Sequence, residues 1–344
     1  MTSTPLWLWV TFVAVVTVAL AVDLLAHRRN RVIGFAEAAR WSIVWVSAGL
    51  AFGGLVTAVR GTDAGVEYTS AWLLEKSLSV DNLFVFALIF AHFGVPRQYQ
   101  HRVLFFGVLG ALVFRAVFLS LGVAVVSRFT VILFVFAALL IWSAARLSRG
   151  QKQQFDPARS LGIRLLRRLV PVRDTYAGSA FFVRETGRLV ATPLLAVVAA
   201  VEAADLMFAI DSVPAVLAVS SDPFIVYTSN VFAILGLRAL YFLLDGLLAR
   251  FRLLSRGLAL ILAFIGVKLA LQAAHKSISP NVPEIPSPLS LTVIIAVLTT
   301  SLAWSLLRPA PTSVSQPVTC EPHGATCDCL HRDRRRRHPS APER

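Results

Sequence analysis

Apolar residues run along this chain in long unbroken blocks, not in the short alternations of soluble helices and strands. Nine blocks approach or reach the ~20 residues a helix needs to cross a bilayer. They lie at about 6–26, 36–56, 69–93, 103–126, 129–147, 193–218, 224–247, 257–273 and 288–307. The first is read as a true span and not a cleaved leader. No basic stretch precedes Leu6, and no small-residue cleavage pattern precedes Asp23. The pattern predicts an all-α polytopic membrane protein with its transmembrane domain over 1–308. A basic loop at 148–190 divides five spans from four, with an amphipathic helix expected near 158–170. The segment 277–288 is rich in Pro and Ser, and the polar, basic tail at 309–344 is expected to be disordered.

Composition agrees. The chain is 56% hydrophobic and only 15% charged, against roughly 25% charged in soluble domains. The formal net charge of +14 could suggest nucleic acid, but its placement argues otherwise. Of 33 Lys and Arg, 26 fall in 27–40, 94–102, 146–190, 250–256 and the tail from 308. Those segments alternate with poor ones across nine spans. The positive-inside rule then places the N-terminus outside and the C-terminus in the cytoplasm of a cell-membrane protein. The basic charge orients the chain, with contact to anionic lipid as a minor addition.

The two halves resemble each other. The third span carries EKSLSVDN at 75–82 and the sixth carries DLMFAIDS at 205–212. Each has two acids six residues apart, the second followed by a small polar residue. The fourth span reads GALVFRAVFL from Gly110 and the seventh GLRALYFL from Gly236, each with an arginine (Arg115, Arg238) followed by Ala. Residues 69–147 and 193–273 therefore read as two three-helix repeats. Three is odd, so the second must be inverted, an arrangement that places binding sites near the midplane.

Five acids fall deep in two spans: Glu75, Asp81, Glu202, Asp205 and Asp211. Unpaired and ionised, they would cost on the order of 12–17 kcal/mol on insertion scales. Arg115, Arg238 and Lys76 can offset part of this, and a bound cation the remainder. At 100° per residue Glu75, Ser79 and Asn82 share a helix face, as do Glu202 and Asp205. Asp81 and Asp211 do not align with the acids six residues before them. A helix break near Pro214, freeing the Ile210 carbonyl, would bring them closer. The donors are Asp, Glu, Asn, Ser and backbone oxygen, with no His or Cys nearby. Such a set favours Mg²⁺, Ca²⁺ or Mn²⁺ over zinc or copper. Internal salt bridges without a ligand, and a proton relay through the same acids, are the alternatives left open.

Other polar residues carry plainer expectations. Asp23 ends the first span, Asp245 pairs with Arg250 or snorkels, and Lys268 snorkels near an outer end. Trp7, Trp9, Trp41, Trp45, Trp72 and Trp304 fit interface anchoring. The tail holds Cys320, His323, Cys327, Cys329 and His331, which match no standard zinc-ribbon spacing. As the only three cysteines, on the cytoplasmic side, they are not expected to form disulfides.

These segments, with VEAADLMFAIDSVP at 201–214 and TSNVFAILGLR at 228–238, resemble the TerC family of integral membrane proteins, over about residues 5–308. That family is named for tellurite resistance and includes Alx-type manganese exporters. The resemblance implies export of Mn²⁺, with Glu75, Asp81, Asn82, Glu202, Asp205, Asp211 and Ser212 lining the metal site. Arg115 and Arg238 would balance charge or gate. Residues alone leave Ca²⁺ and Mg²⁺ open. No organic cofactor is expected, and no nucleotide-binding loop is present, so proton or membrane potential would drive transport. An enzyme is not expected, since no His ligand lies near the acids. Tellurium oxyanions are disfavoured because an acid-lined site repels anions. The rival is a membrane scaffold in a stress-response complex with a structural metal. The partners are the bilayer and the ion, with a homo-oligomer or membrane complex left open.

Overall fold

A computed structural model describes residues 5–26, 34–129, 131–149, 161–173, 175–185, 188–244, 252–279 and 281–307. Asp245, Arg250 and the Cys/His tail lie outside these residues, and so do the side chains of Asp23 and Asp81. Every described element belongs to one compact unit, Met1–Pro309. Its helices are α1 (Leu6–Ala26), α2 (Phe35–Arg60), α3 (Thr62–His92), α4 (Arg97–Arg128), α5 (Ile132–Ser148), α6 (Leu161–Leu169), α7 (Pro193–Val219), α8 (Pro223–Ile234), α9 (Leu237–Leu244), α10 (Arg252–Ser277) and α11 (Ser287–Leu307). Between α6 and α7 lies an antiparallel hairpin, β1 (Phe182–Glu185) and β2 (Arg188–Ala191).

The fold is the expected helical membrane fold. Among the described residues, six segments are long and apolar enough to cross a bilayer: α2, α4, α7, α8–α9, α10 and α11. Helices α1 and α5 are apolar but shorter over their described lengths. Helix α3 has the length, 31 residues, but carries Glu75, Lys76 and Asp81 within seven positions. Outward faces are apolar, as with Val113, Val117 and Leu121 on α4 and Val135 and Trp142 on α5. Polar and charged side chains turn inward, the reverse of a soluble bundle.

The helix pairings carry the inverted repeat. Helix α3 packs mainly on α8, and α4 on α7, while α5 lies along α10. Contacts along each pair give its direction. On α3 and α8, Glu67 meets Ser220 at the entry to α8 and Lys76 meets Ala233 near its end, so the two run parallel. On α4 and α7, Gly107 meets Val201, Arg115 meets Asp205 and Gly122 meets Leu217, so these run parallel too. The first helix of each triplet thus runs beside the second helix of the other. Consecutive helices in a triplet reverse direction, so α3 and α7 must be opposed. Inversion is therefore built into the packing. Close approach of α4 and α7 rests on glycine: a Cβ at Gly107 would sit 2.9 Å from Val201 Cγ1, and one at Gly122 2.9 Å from Leu217 Cδ1.

Several expectations are corrected. Helix α7 runs through Pro214 without ending. Proline removes one backbone bond there, but residues 212–219 are all buried, and that packing keeps the helix continuous. The break falls instead in the seventh apolar block, at Leu235–Gly236 between α8 and α9. Gly236 has φ 81°, and a Cβ on it would lie 2.5 Å from Trp45 Cβ. Trp45 and Trp72 are buried in an aromatic cluster with Phe52, Tyr68, Phe224 and Phe232, not at an interface. Lys268 is buried and donates to Ser290 Oγ of α11 at 2.9 Å, so it does not snorkel. The expected basic helix is α6. It docks on α7 through Ile163, and through Gly162, where a Cβ would overlap the Ala199 carbonyl. The hairpin was not foreseen.

Gly236→Ala should destabilise the protein by about 1–3 kcal/mol, combining left-handed backbone strain with overlap on Trp45. Thermal unfolding in detergent should show a clearly lower midpoint. Gly54→Ala, where the added Cβ meets no neighbouring side chain or helix within 4 Å, should not lower it and, inside α2, should raise it slightly.

Candidate functional site

The packing of α4 between α3 and α7 brings one cation and three acids together inside the protein. Arg115, 2% exposed, projects from the middle of α4. Its Nη1 donates to Glu75 Oε2 of α3, and its Nη2 to Asp205 Oδ1 of α7 at 3.3 Å. Glu75 and Asp205 occupy matching positions in the two repeats, so one guanidinium bridges the halves. The fork geometry of arginine suits this, since each carboxylate takes a different nitrogen.

Glu202, one turn before Asp205, lies within its electrostatic reach. Its carboxylate presses on the backbone of α4 at Gly110, where a Cβ would overlap both carboxylate oxygens. Only glycine admits the acid there. Ser212, buried on α7, faces Glu75 without completing a hydrogen bond. Five oxygens in this region lack a partner among the described residues: Glu75 Oε1, Asp205 Oδ2, Glu202 Oε2, Ser212 Oγ and Ser79 Oγ. Buried polar atoms are normally satisfied, so a cluster of orphaned acceptors marks a place built for something else to enter. At formal charges, three acids against one arginine leave two negative charges. Among the described residues, however, no three acid, His or Cys side chains converge as they would around a metal ion. Arg115 stands between the carboxylates.

The structure gives Asp211 partners outside this cluster. Asp211 is six residues beyond Asp205, about 9 Å along the helix. It accepts from Ser143 Oγ of α5 at 2.6 Å and lies 4.0 Å from Arg146 Nη2. Asn82 is buried near the middle of α3. Arg238 is buried in α9, just past the break. Lys76 turns away from its neighbour Glu75 and donates to the backbone carbonyls of Ala233 and Leu235.

Sequence reasoning missed Gly110, Ser143 and Arg146. Gly110 opens the GALVFR segment, and its place one helical turn and a half before a buried arginine is a trace that could have pointed to it. Ser143 and Arg146 sit in ordinary apolar and basic surroundings that carry no such trace. A second polar group, at the far ends of α2, α3 and α7, also went unread. Arg60 Nη2 pairs with Asp222 Oδ2 at 2.6 Å, and Ser220 Oγ donates to Glu67 Oε2 at 2.6 Å. Asp222 also caps α8, accepting from Phe224 N at 2.9 Å.

A multi-pass helical membrane protein with paired acids from two inverted repeats is the class this arrangement defines. The profile of the integral membrane protein TerC family matches residues 60–312, and the chain belongs to that family. It is 43% identical over 309 residues to "Uncharacterized membrane protein STKORF319" of Myxococcus xanthus, covering 89% of this chain and 94% of that one. It is 40% identical over 310 residues to "Putative membrane-bound redox modulator Alx" of Salmonella typhi, covering 87% and 94%. The protein of the same name in Escherichia coli K12 is 41% identical over 307 residues, covering 86% and 92%. No solved structure matches the chain.

Arg115→Met should destabilise the protein by about 3–5 kcal/mol, because it leaves Glu75 and Asp205 buried without their shared cation. Adding Glu75→Gln and Asp205→Asn to Arg115→Met should recover much of that loss. Unfolding midpoints of the single and triple variants in detergent decide this. Equal midpoints would mean the acids do not depend on the arginine.

Proposed function

We propose that this protein is a secondary transporter that exports divalent metal ions, Mn²⁺ foremost, through the Glu75–Glu202–Asp205 cluster. The observation that carries this reading is the set of orphaned, buried oxygens beside an incompletely neutralised group of acids. A divalent ion supplies two positive charges, the number the cluster lacks at formal charges. Oxygen-only donors suit a hard cation. The Alx-type relatives support a membrane transporter or modulator, and the choice of Mn²⁺ rests on the family resemblance of the motifs.

In this reading Arg115 holds the acids apart when no ion is present. An entering cation takes over the carboxylates, and the arginine gives way. Asp211, with Ser143, lies further along α7 and serves as a second station. Asp81, on the α3 position that matches Asp211, is its counterpart in the first repeat. The protein sits in the cell membrane with its N-terminus outside and its basic loops in the cytoplasm, as the alternation of Lys and Arg supports. Glu202, nearer the start of α7, then faces the cytoplasmic approach, which suits loading from within.

The name of the Alx relatives offers a second reading, redox modulation. Cysteine chemistry for it would have to come from Cys320, Cys327 and Cys329, the chain's only cysteines, which lie beyond the family match.

Proteoliposomes loaded with Mn²⁺ should release it in a protein-dependent way. Glu75→Gln and Asp205→Asn should each slow release at least about tenfold, as expected when an ion loses a charged ligand. Truncation at 312, which removes the cysteines, should leave release unchanged. Release by both acid variants at the wild-type rate would defeat the site assignment.

A further inference from the structure

The break between α8 and α9 leaves backbone acceptors that no helix can satisfy. The last carbonyls of a helix have no amide four residues ahead of them. Here Leu235 N still donates to Val231 O, and Leu240 N donates to Gly236 O. The carbonyls from 232 to 235 fall between these two bonds. In water such a gap would be hydrated. Inside a membrane protein it must be filled by the protein or line a polar cavity.

Lys76 fills it. From the middle of α3 its ammonium donates to Ala233 O at 3.0 Å and to Leu235 O at 3.2 Å. Trp45 of α2 lies against Gly236 so closely that no side chain fits there. The break is thus contacted by both an indole and an ammonium. Two or more carbonyl oxygens at an unwound helix end, in a place closed to bulk water, form the kind of site that binds a small monovalent cation.

Comparison of the two repeats sharpens the point. Lys76 follows Glu75, and the matching position after Asp205 is Leu206. Helix α3, which carries the lysine, packs on the broken pair α8–α9. Helix α7, which carries the leucine, packs on α4, and α4 is continuous from Arg97 to Arg128. The repeat with the lysine faces the broken helix, and the repeat without it faces the unbroken one. Charge and break occur together.

We propose that the Lys76 ammonium occupies a monovalent-cation site made by the carbonyls of the α8–α9 break, and that it thereby fixes the kink that positions Arg238. Lys76 is a positioning residue in this scheme and touches no transported ion. The proposal goes beyond the transport reading and does not need it, since it concerns the protein free of divalent metal. If the site is real, removing the ammonium creates a vacancy that an alkali or small alkylammonium ion can fill. A lysine serving only as packing would leave no such vacancy.

The test is hydrogen exchange read by mass spectrometry on the full-length protein in detergent, with chelator present. Ionic strength is held constant with N-methyl-D-glucamine chloride, whose cation is too large for the site. In that buffer Lys76→Met should exchange the amides of 237–244 at least about tenfold faster than wild type, as loss of two charge-assisted hydrogen bonds implies. Peptides from α4 should be unchanged. Replacing the large cation with potassium or methylammonium should return the α9 amides of the variant toward the wild-type rate, with no effect on wild type itself. Should Lys76→Met not fold, Lys76→Gln is measured the same way. Wild-type exchange in the variant would overturn the proposal, and so would faster exchange that neither small cation reverses. Loss of Mn²⁺ release in the transport assay leaves this result untouched, so the two readings fail separately.

Discussion

One guanidinium joins the two halves of this protein. Arg115 comes from the first repeat and bonds an acid of each, Glu75 beside it and Asp205 across the interface. Two carboxylates facing each other in a medium of low dielectric repel strongly, so with both acids ionised the polar part of the α3–α7 contact needs a cation placed between them. The glycines of α4 follow from the same requirement. To reach Asp205, the arginine's helix must come close to α7, and Gly107, Gly110 and Gly122 remove the side chains that would keep it away. Gly110 has a further effect, since the space it vacates holds the carboxylate of Glu202.

The two repeats are alike in their acids and unlike in their backbones. Glu75 and Asp205 meet at the centre as equivalent residues. Their following residues, Lys76 and Leu206, send the halves in different directions, one toward a broken helix and one toward a continuous one. The break at Gly236, contacted by Lys76 and Trp45, is where that difference resides.

Much of this was legible in the sequence because the membrane makes polar residues conspicuous. Acids in apolar blocks have few reasons to exist, so Glu75, Glu202 and Asp205 stood out, and so did the arginine that pairs with them. The matched spacing of acids and arginines also disclosed the repeat, and the odd helix count its inversion. What could not be read was three-dimensional partnership. Pro214 suggested a broken helix by its local chemistry, but tight packing on all sides overrode it. The break fell at a glycine whose role depends on Trp45, nearly two hundred residues away. Lys76 looked like a counter-charge for its neighbour Glu75, yet consecutive helix residues point about 100° apart, which sends its ammonium to a different helix. Asp211 was grouped with Asp205 by motif, although six residues of helix separate them and turn them to different faces.

The charge count at the centre bears on how an ion could move. With Arg115 in place and the acids ionised, Glu75, Asp205 and Glu202 leave two negative charges in a buried volume. That state cannot persist dry, so either protons or a metal must balance it. Under the transport reading, the loaded site holds one divalent ion and the empty site holds two protons on the same oxygens. Exchange of one for the other moves no net charge through the middle of the membrane, which avoids the largest electrostatic barrier to crossing it. Arg115 makes this exchange sharper. It satisfies one oxygen each of Glu75 and Asp205 and leaves Glu75 Oε1 and Asp205 Oδ2 open. Under the same reading, competition for the carboxylates would fall on the two free oxygens first, and the arginine would yield only after an ion has arrived.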